Sequence, residues 1–566
     1  AADIIPLMQN DTAAIPSRTK RIIAVFAVFV FALAVRQIRA GDPFGGYHSF
    51  NEAWYSTIAR NYATDGSFLF PITVYGRVDY NVSPFFSYIL HIAGSALGYS
   101  EAVLRFVPIL FSALTVPVVY ALGMRFFSFR AGILGALLFA FAPVSVIAGR
   151  NIQTDSLYVF LMLSSLLLYE KGRREGGLPE MGAAGLLFGG AFLAKQFAGI
   201  LLPVIVVFEI IRNRSIGWFG AGHLVFGLAA LVIPGPFFFY HLFYNSDVVL
   251  GAQSALSASQ FSGLTQSVAE YLLTEYLWGL SPPVAALSLI GVLYLLFSRR
   301  EGGLLILIVV AAFNWFLVHW HGHSYYILFV TPFLCLAAGA LLARIRPPAL
   351  GTAAAMAVAA FSALLSLAML CSIKYGHTEY EDVAAIMNKQ TIRPVLITSD
   401  KLYDNYHPIM RYYNPRLDII SETQLSNTGV EAANFGPERG VFFLCYGRDE
   451  KKRYPEPQFS IDRPAFGLFI LGYQLITEME SEHFFSVRGL RVRKVKDNFT
   501  TGIRVIGKYS SMTLSFVQPG ATVPMPGGRI DFRGQEPGPA GASSPGGIEL
   551  PPEKKKAPKQ ETRPLR

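Results

Sequence analysis

Charged residues are scarce in this sequence. Only 15% of its 566 residues are Asp, Glu, Lys or Arg, whereas 52% are hydrophobic and the mean hydropathy is +0.40. Soluble globular proteins carry about 25% charged residues, so this composition excludes an ordinary soluble enzyme and predicts a membrane protein. The net charge of +10 does not indicate nucleic-acid binding, because the Lys and Arg residues cluster beside apolar runs and form no basic stripe with interleaved aromatic residues.

Cysteine is scarce as well. Cys335, Cys371 and Cys445 lie far apart, and two of them fall in apolar runs. This spacing indicates neither a CxxC metal site nor a disulfide framework.

Long hydrophobic runs, in contrast, are abundant. A membrane-spanning helix needs about 20 mostly apolar residues, and about eleven such runs are present, at 22–40, 102–123, 130–148, 154–170, 181–196, 197–211, 217–240, 280–298, 303–319, 324–343 and 350–371. The first run follows Arg18, Lys20 and Arg21 and precedes no clear small-residue cleavage site, so it is interpreted as an uncleaved span. The sequence therefore predicts a polytopic α-helical membrane protein.

The basic residues between the runs predict the topology. With residues 1–21 in the cytoplasm, every inside connection is basic, as the positive-inside rule requires; these connections contain Arg125, Arg130, Lys171, Arg173, Arg174, Arg212, Arg214, Arg299, Arg300, Arg344 and Arg346. The membrane domain then covers 22–371, its first outer loop is 41–101, and everything after about 372 lies outside. The stretch 181–211 is interpreted as two short spans that turn around Lys195, because burying that lysine mid-membrane costs about 2.5–3.5 kcal/mol.

The C-terminal part has a different composition. A helix-like stretch at Tyr380 to Lys389 and strand-like runs at Pro394 to Thr398 and Gly440 to Tyr446 predict a soluble extracytoplasmic α/β domain over 372–517. This domain lacks a GxGxxG motif and a P-loop. The Pro-, Gly- and Lys-rich segment 518–566 is predicted to be disordered.

Polar residues with possible chemical roles gather on the predicted outer side. The first outer loop contains a stretch typical of an amphipathic helix, HSFNEAWYSTIARNY, and the other candidates follow in later turns; the set is His48, Asn51, Glu52, Asp79, Arg150, Asp155, Lys195, His323, Tyr325 and Tyr326. Carboxylates can accept protons, and cations can bind an anionic headgroup.

Simpler interpretations remain open for the same residues. Glu52 and Asp79 could be solvated loop charges, Asp155 could cap a helix, and the HWHGHSYY cluster could belong to an interfacial aromatic belt. No cofactor is predicted with certainty. A divalent metal on His48, Glu52 and a histidine of that cluster stays open, because His48 and Glu52 are four residues apart.

Several of these segments together resemble the GT-C glycosyltransferases. The resemblance is to family 39, with the protein O-mannosyltransferases and the aminoarabinose transferase of lipid A, and to the Rgt-like branch. It covers about 22–345. The segments that show the resemblance are NEAWYSTIARNY, LRFVPILFSALTVPVVYALG, GRNIQTDSLYVFLMLSSLLLY, GGAFLAKQFAGILLP and HSYYILFVTPFLCLAAGAL.

The resemblance implies a multi-pass plasma-membrane enzyme with an outward-facing active site. It would transfer a sugar, with inversion, from a polyprenyl-phosphate donor to a hydroxyl of a lipid, glycan or protein. An acidic residue of the first outer loop acts as the base in such families, which points to Glu52, with Asp79 in reserve. Lys195, Arg150 and His323 would stabilise the leaving phosphate, and Asp155, Tyr325 and Tyr326 would bind substrate beside them.

Two positions depart from the family pattern. Asn51 stands where the family usually has an aspartate, and an amide cannot accept a proton at neutral pH. Val82-Ser83-Pro84 stands where many relatives have Lys-Pro-Pro or His-Pro-Pro.

Two other functions are carried as alternatives. One is a catalytically inactive membrane scaffold, which the amide at Asn51 keeps open. The other is a transporter or flippase of a lipid-linked saccharide, which needs ionisable residues along a path through the bilayer. The spans are expected to be nearly free of buried charge, and this favours an enzyme. The expected partners are the lipid-linked donor, the acceptor and membrane lipids, with no nucleic acid.

Overall fold

The computed structural model of the chain is mostly helical up to residue 370 and contains a β-sheet beyond it. It describes residues 17–44, 48–65, 70–74, 76, 78–79, 84–215, 217, 219–244, 246, 276–277, 279–298, 301–319, 324–370, 379–390, 395–398, 400–421, 441–446, 459–470, 473–477, 490–494, 502–517, 522–525 and 528–531.

The helices of the first part are interrupted by two 3-10 turns, Gln196–Ile200 and Ser324–Phe329. They are α1 (Arg18–Gln37), α2 (Ser49–Asp65), α3 (Pro84–Leu97), α4 (Glu101–Phe126), α5 (Phe129–Phe141), α6 (Pro143–Ile147), α7 (Asp155–Glu175), α8 (Leu178–Ala194), α9 (Leu201–Asn213), α10 (Ala221–Val232), α11 (Pro234–Tyr244), α12 (Pro282–Phe297), α13 (Glu301–His319), α14 (Thr331–Leu342) and α15 (Pro348–Leu370).

Local signals in the sequence set several helix ends. Ser17, Ser100 and Ser128 each accept a hydrogen bond from a backbone N–H of the first turn of α1, α4 and α5. Gly176 ends α7 with a left-handed φ of +70°, which glycine adopts without steric cost. Pro234 follows the break between α10 and α11, and the two helices meet at 57°.

The apolar helices make this a membrane protein. In the described part of the chain, three helices are long and apolar enough to cross a bilayer, and a fourth span results if the bent pair α10 and α11 is counted as one. Six further apolar helices are shorter, between 10 and 17 residues. The membrane character is confirmed, whereas the expected total of eleven spans stays a prediction.

Glycine allows the central helices to approach closely. A Cβ atom added to Gly123 of α4 would lie 2.5 Å from the Cα of Gly132 in α5. A Cβ atom added to Gly339 of α14 would lie 2.6 Å from the backbone nitrogen of Gly135 in α5. Helices α4, α5 and α14 therefore share an interface that no larger residue at these positions would fit.

The expectation that the spans are nearly free of buried charge is wrong. Arg36, near the end of α1, is fully buried. Its guanidinium donates to the side chains of Ser112 and Ser145 and to the backbone oxygens of Ala32, Ala140 and Ser145. The oxygens of Ala140 and Ser145 lie on either side of the break between α5 and α6. Arg36 therefore supplies hydrogen bonds at a point where the regular bonding of a continuous helix is interrupted.

A second buried charge cluster lies at the opposite end of the bundle. The Glu170 carboxylate accepts from Arg173 (Nε 2.6 Å) and from Arg174 (Nη2 3.0 Å). Arg173 also lies 3.4 Å from Glu209 of α9 and 3.2 Å from Glu301 of α13. The cluster joins the ends of three helices, and its local pairing explains why ionisable residues are tolerated there.

The C-terminal part combines helices with a mixed sheet. Its elements are α16 (Glu379–Gln390), α17 (Asp400–Tyr413), β1 (Val395–Thr398), β2 (Asp418–Ser421), β3 (Val441–Tyr446), β4 (Phe459–Ile470), β5 (Tyr473–Thr477), β6 (Leu490–Lys494), β7 (Gly502–Val517), β8 (Thr522–Met525) and β9 (Gly528–Asp531). The seven-stranded sheet has the order β2-β1-β3-β7-β4-β5-β6. Strand β1 pairs in parallel with β2 and β3, and the other pairs are antiparallel. The β8–β9 hairpin lies within the segment whose composition predicts disorder.

Candidate functional site

Helix α2 occupies the stretch for which the sequence predicts an amphipathic helix. It begins at Ser49, directly after His48, which has an uncommon positive φ of 56°. Glu52, Ala53 and Ser56 are buried, whereas Asn51 is half-buried. The helix packs against α3 and α17.

Glu52 forms a buried ion pair with Arg105 of α4. Arg105 Nε donates to Oε1 (2.9 Å) and Nη2 to Oε2 (2.8 Å), so the pair is bidentate. Arg105 Nη1 also donates to the backbone oxygens of Ala40 and Asp42, and the N–H of Ile152 points at Glu52 Oε1 (3.4 Å). The Glu52 side chain thus connects α2, α4 and the segment before α7.

This pairing bears directly on the base predicted from the sequence. Both carboxylate oxygens of Glu52 face one guanidinium, and only 3% of the residue is exposed. Because both oxygens accept from the guanidinium and the side chain is buried, a substrate hydroxyl has little room to approach the Glu52 carboxylate. Arg105 is a site residue that was not predicted from the sequence, although an arginine inside the apolar run 102–123 indicates a buried partner.

Asp155 and Lys195 form a second ion pair. Lys195 Nζ lies 2.6 Å from Asp155 Oδ1, with Asp155 at the first position of α7 and Lys195 directly after α8. The predicted break at Lys195 is confirmed, since α8 ends at Ala194 and Lys195 itself is extended (φ −156°, ψ 123°). The pair brings together two residues that are 40 positions apart in the sequence.

Four aromatic rings surround the ammonium group of Lys195. Its Nζ lies 4.3 Å from the ring centre of Tyr326, 5.1 Å from Phe329, and 5.3 Å from both Tyr325 and Phe197. Such rings stabilise a cation whose hydration is reduced. The two 3-10 turns supply all four rings, so each turn has a defined part in forming the site.

His48 extends this aromatic group towards α2. Its ring meets the ring of Tyr325 edge-on, with centroids 4.6 Å apart. The residue that precedes α2 therefore contacts the turn that surrounds Lys195.

Tyr55 of α2 interacts electrostatically with two acidic residues, Asp155 and Asp79. Burial raises the pKa of the Tyr55 hydroxyl, and the negative charges of Asp155 and Asp79 raise it further. Its hydroxyl also bonds to the side chain of Thr154. Tyr55 is therefore a neutral phenol at physiological pH, and it is close enough to Asp155 and Asp79 to experience the charge of both.

Asp79 contacts α2 at Trp54. Its Oδ2 accepts a hydrogen bond from Trp54 Nε1 (3.1 Å), and its backbone N–H donates to the oxygen of Pro71 (2.9 Å). The side chain is half-buried, in contrast to Glu52 and Asp155. Asn51 shares the helix face of Tyr55, since the two are four residues apart.

Arg150 lies in a fully buried segment before α7. The residues from Gly149 to Thr154 are all buried, and Arg150 is 5% exposed. The N–H of Ile152 connects this segment to Glu52. The segment thus belongs to the same end of the bundle as α2.

Some predicted site residues lie outside the described residues. They are His323 and the loop residues Val82 and Ser83. In the described parts of the chain, no group of three or more His, Cys, Asp or Glu side chains is arranged to hold a metal ion. The pairing of Glu52 with Arg105 also argues against Glu52 as a metal ligand.

One family model matches the region that carries much of this site. Residues 81–240 match the model of the dolichyl-phosphate-mannose-protein mannosyltransferase family. The comparison with curated protein sequences gives no significant match.

Solved structures match a larger share of the chain. ArnT from Cupriavidus metallidurans in the apo state is 17% identical, with a TM-score of 0.62 over 76% of this chain and 93% of ArnT. The same protein bound to undecaprenyl phosphate gives 17% identity and 0.59, over 77% and 94%. The oligosaccharyltransferase AglB from Archaeoglobus fulgidus, in complex with an inhibitory peptide and a dolichol-phosphate, is 14% identical, with a TM-score of 0.51 over 88% of this chain and 77% of AglB. The predicted resemblance is confirmed at the level of the fold: this chain has the fold of the GT-C glycosyltransferases.

Proposed function

We propose that this protein transfers a sugar from a polyprenyl-phosphate donor to a hydroxyl of a lipid, glycan or protein, with inversion at the anomeric carbon. The observation that carries the proposal is the joint position of the Lys195–Asp155 pair, Tyr55 and Asp79 at one end of a GT-C fold. A cation for the phosphate and a carboxylate for the hydroxyl are the two groups that this reaction needs.

Asp79 is the general base in this proposal. It is half-buried, whereas Glu52 and Asp155 are only 3% and 2% exposed and form the buried ion pairs with Arg105 and Lys195. The acceptor oxygen forms its bond to the anomeric carbon and gives its proton to Asp79. The bond from that carbon to the phosphate oxygen breaks, and the electron pair leaves with the lipid phosphate. Glu52, the base expected from the sequence, instead holds α2 in place.

Lys195 binds the donor phosphate in this proposal, and Arg150 contributes a second positive charge from the buried segment. Asp155 holds the ammonium group of Lys195 at 2.6 Å, and the four rings limit its access to water. A preformed cation of this kind stabilises the charge that develops on the leaving phosphate. Tyr55, which keeps its proton, is a hydrogen-bond donor on the acceptor side of this site. Tyr325 and Tyr326 form the wall beside Lys195. The role of His323 in stabilising the leaving phosphate stays a prediction from the sequence.

The end of the helical bundle at which α2 and Lys195 lie is proposed to face the outside of the plasma membrane. The opposite end carries basic residues at the ends of α4, α7, α9 and α14, as the positive-inside rule requires of a cytoplasmic face; they are Arg125, Lys171, Arg173, Arg174, Arg212 and Arg344.

Donor binding is tested with undecaprenyl phosphate and the purified protein by native mass spectrometry. We expect Lys195→Ala to weaken binding about tenfold or more, because a charge-assisted contact contributes about 1.5–3 kcal/mol. Asp79→Asn is the matched control and should bind as the wild type does. Equal binding by wild type and Lys195→Ala would remove Lys195 from the phosphate site.

Transfer is tested in cells that lack the protein and are complemented with single variants. Mass spectrometry of envelope glycans and glycolipids should show a sugar modification that the wild type restores and Asp79→Asn does not. If Asp79→Asn restores the modification and Glu52→Gln, at equal protein level, does not, the base is Glu52. A glycan profile that is the same with and without the protein would favour the inactive scaffold.

A further inference from the structure

We propose that helix α17 of the C-terminal part docks on α2 and positions the acceptor half of the site, which consists of α2 with Tyr55 and the turn that carries Asp79. Tyr412 and Tyr413 are the positioning residues. This inference rests on the proposed function. Tyr412 is 5% exposed and Tyr413 is half-buried, although both lie at the end of a helix that sequence alone assigns to a separate soluble domain.

Tyr412 lies between α2 and the turn that precedes it. The guanidinium of Arg60, on α2, lies 4.3 Å from the centre of the Tyr412 ring, and Arg60 Nη1 also donates to the Tyr412 backbone oxygen (3.3 Å). The ring of Phe44 lies 4.7 Å from the Tyr412 ring, and the Tyr412 hydroxyl donates to the Tyr99 oxygen (3.2 Å). One side chain thus contacts α2, the turn before α2 and the connection between α3 and α4.

Tyr413 connects the same helix to the buried ion pair. Its hydroxyl donates to Glu101 Oε1 (3.0 Å) and accepts from the backbone N–H of Phe44. The Phe44 ring lies 5.1 Å from the guanidinium of Arg105, which holds Glu52. A continuous path of contacts therefore leads from α17 to the carboxylate that fixes α2.

Arg411 reaches the segment that carries Asp79. Its Nη1 donates to the backbone oxygen of Val74 (3.2 Å), within the turn that the Ile72–Val78 bridge closes. Asp79 directly follows that bridge. Helix α17 therefore contacts both elements that carry the acceptor half, namely α2 with Tyr55 and the turn with Asp79.

The donor half has a different support. Lys195 and its four rings belong to α7, α8 and the two 3-10 turns, whereas the contacts of α17 described above are with other elements. The α2 region reaches the donor half at its edge, through the contact between His48 and Tyr325 and the bond between Tyr55 and Thr154. Loss of the α17 docking should therefore reduce transfer and leave phosphate binding intact. A residue that only supported the global fold would reduce both together.

The test uses the full-length protein and Tyr412→Ala. Hydrogen exchange of the α2 peptide 49–65 should become about tenfold faster or more, because a cation–π contact and an aromatic pair are lost from its docking surface. Undecaprenyl phosphate binding should stay within about twofold of wild type, while restoration of the sugar modification in cells falls about tenfold. Tyr412→Phe keeps the ring and should behave almost as the wild type. Arg416→Ala changes an exposed residue just beyond α17 and is the matched control.

Two results would overturn the inference. The first is unchanged exchange of α2 in Tyr412→Ala. The second is a parallel loss of phosphate binding and transfer, which would indicate a general structural role. A wild type that restores no modification would count against the proposed function alone, and the exchange of α2 would still decide whether α17 positions it.

Discussion

Replacement of Arg105 by methionine should strongly destabilise the protein. The side chains of Arg105 and Glu52 are only 6% and 4% exposed, so the variant leaves the Glu52 carboxylate buried without its counterion. Breaking a buried ion pair in this way costs about 3–5 kcal/mol. The backbone oxygens of Ala40 and Asp42 also lose a donor, which places the expected loss near the upper end of that range.

A double-mutant cycle of Arg105→Met and Glu52→Gln isolates the interaction energy between the two side chains from their interactions with other residues. Since the double variant buries neither charge, its loss should be smaller than the sum of the single losses, with a coupling energy of about 2–3 kcal/mol. The measurement is the free energy of unfolding in denaturant, in one detergent for all variants. The exposed pair Arg125–Glu175 is the matched control, with side chains 23% and 51% exposed and an expected coupling below about 1 kcal/mol. Additive losses for Arg105→Met and Glu52→Gln would refute the buried pair and return Glu52 to consideration as the base.

Three further predictions concern stability. Arg36→Leu should cost about 3 kcal/mol in the same unfolding assay, because it removes several buried hydrogen bonds near the break between α5 and α6, and a loss below about 1 kcal/mol would contradict that role. Glu170→Gln, at a buried position, should cost about 3–5 kcal/mol, whereas Glu301→Gln, whose side chain is 45% exposed, should cost less than about 1 kcal/mol; equal losses would contradict the burial argument. Burial of His407, and to a smaller extent the charge of Arg411, lowers the pKa of His407 from 6.5 to about 4. The folded state therefore favours the neutral imidazole, and about 3 kcal/mol of the free energy of unfolding, present above pH 6.5, should be lost as the pH falls towards 4. In His407→Gln the free energy of unfolding should depend less on pH between 6.5 and 4. The same pH dependence in wild type and variant would exclude His407 as its source.

Apolar runs and helix punctuation made much of the fold predictable. A helix around Asn51, a break at Lys195 and strand-like runs at 394–398 and 440–446 were predicted, and the structure has the helix, the break and strands at 395–398 and 441–446. These features depend on local composition, such as the period of an amphipathic helix or a lysine between two apolar runs.

Long-range pairing limited what could be predicted about the site. The sequence interpretation grouped Asp155, Lys195 and Tyr326 on one side because topology brings helix ends together, and the structure brings them into contact. It did not foresee that Glu52 pairs with Arg105, 53 residues further along, because pairing across helices depends on their rotation about their axes. Composition contains no information on that rotation.

Docking of the C-terminal helix was also beyond the sequence interpretation. The stretch that contains Tyr412 and Tyr413 has no periodic signal that distinguishes a surface in contact with α2 from a core face. Only the three-dimensional arrangement brings these tyrosines to Phe44 and Arg60, more than 300 residues earlier in the chain.

The most direct test of the central claim is lipid analysis of cells that express Asp79→Asn in place of the wild type. If Asp79 is the base of a lipid-linked sugar transferase, the polyprenyl-phosphate sugar should accumulate and its acceptor should lack the sugar, while the variant is present in the membrane at the wild-type level. Normal donor levels and a fully modified acceptor in those cells would contradict the account.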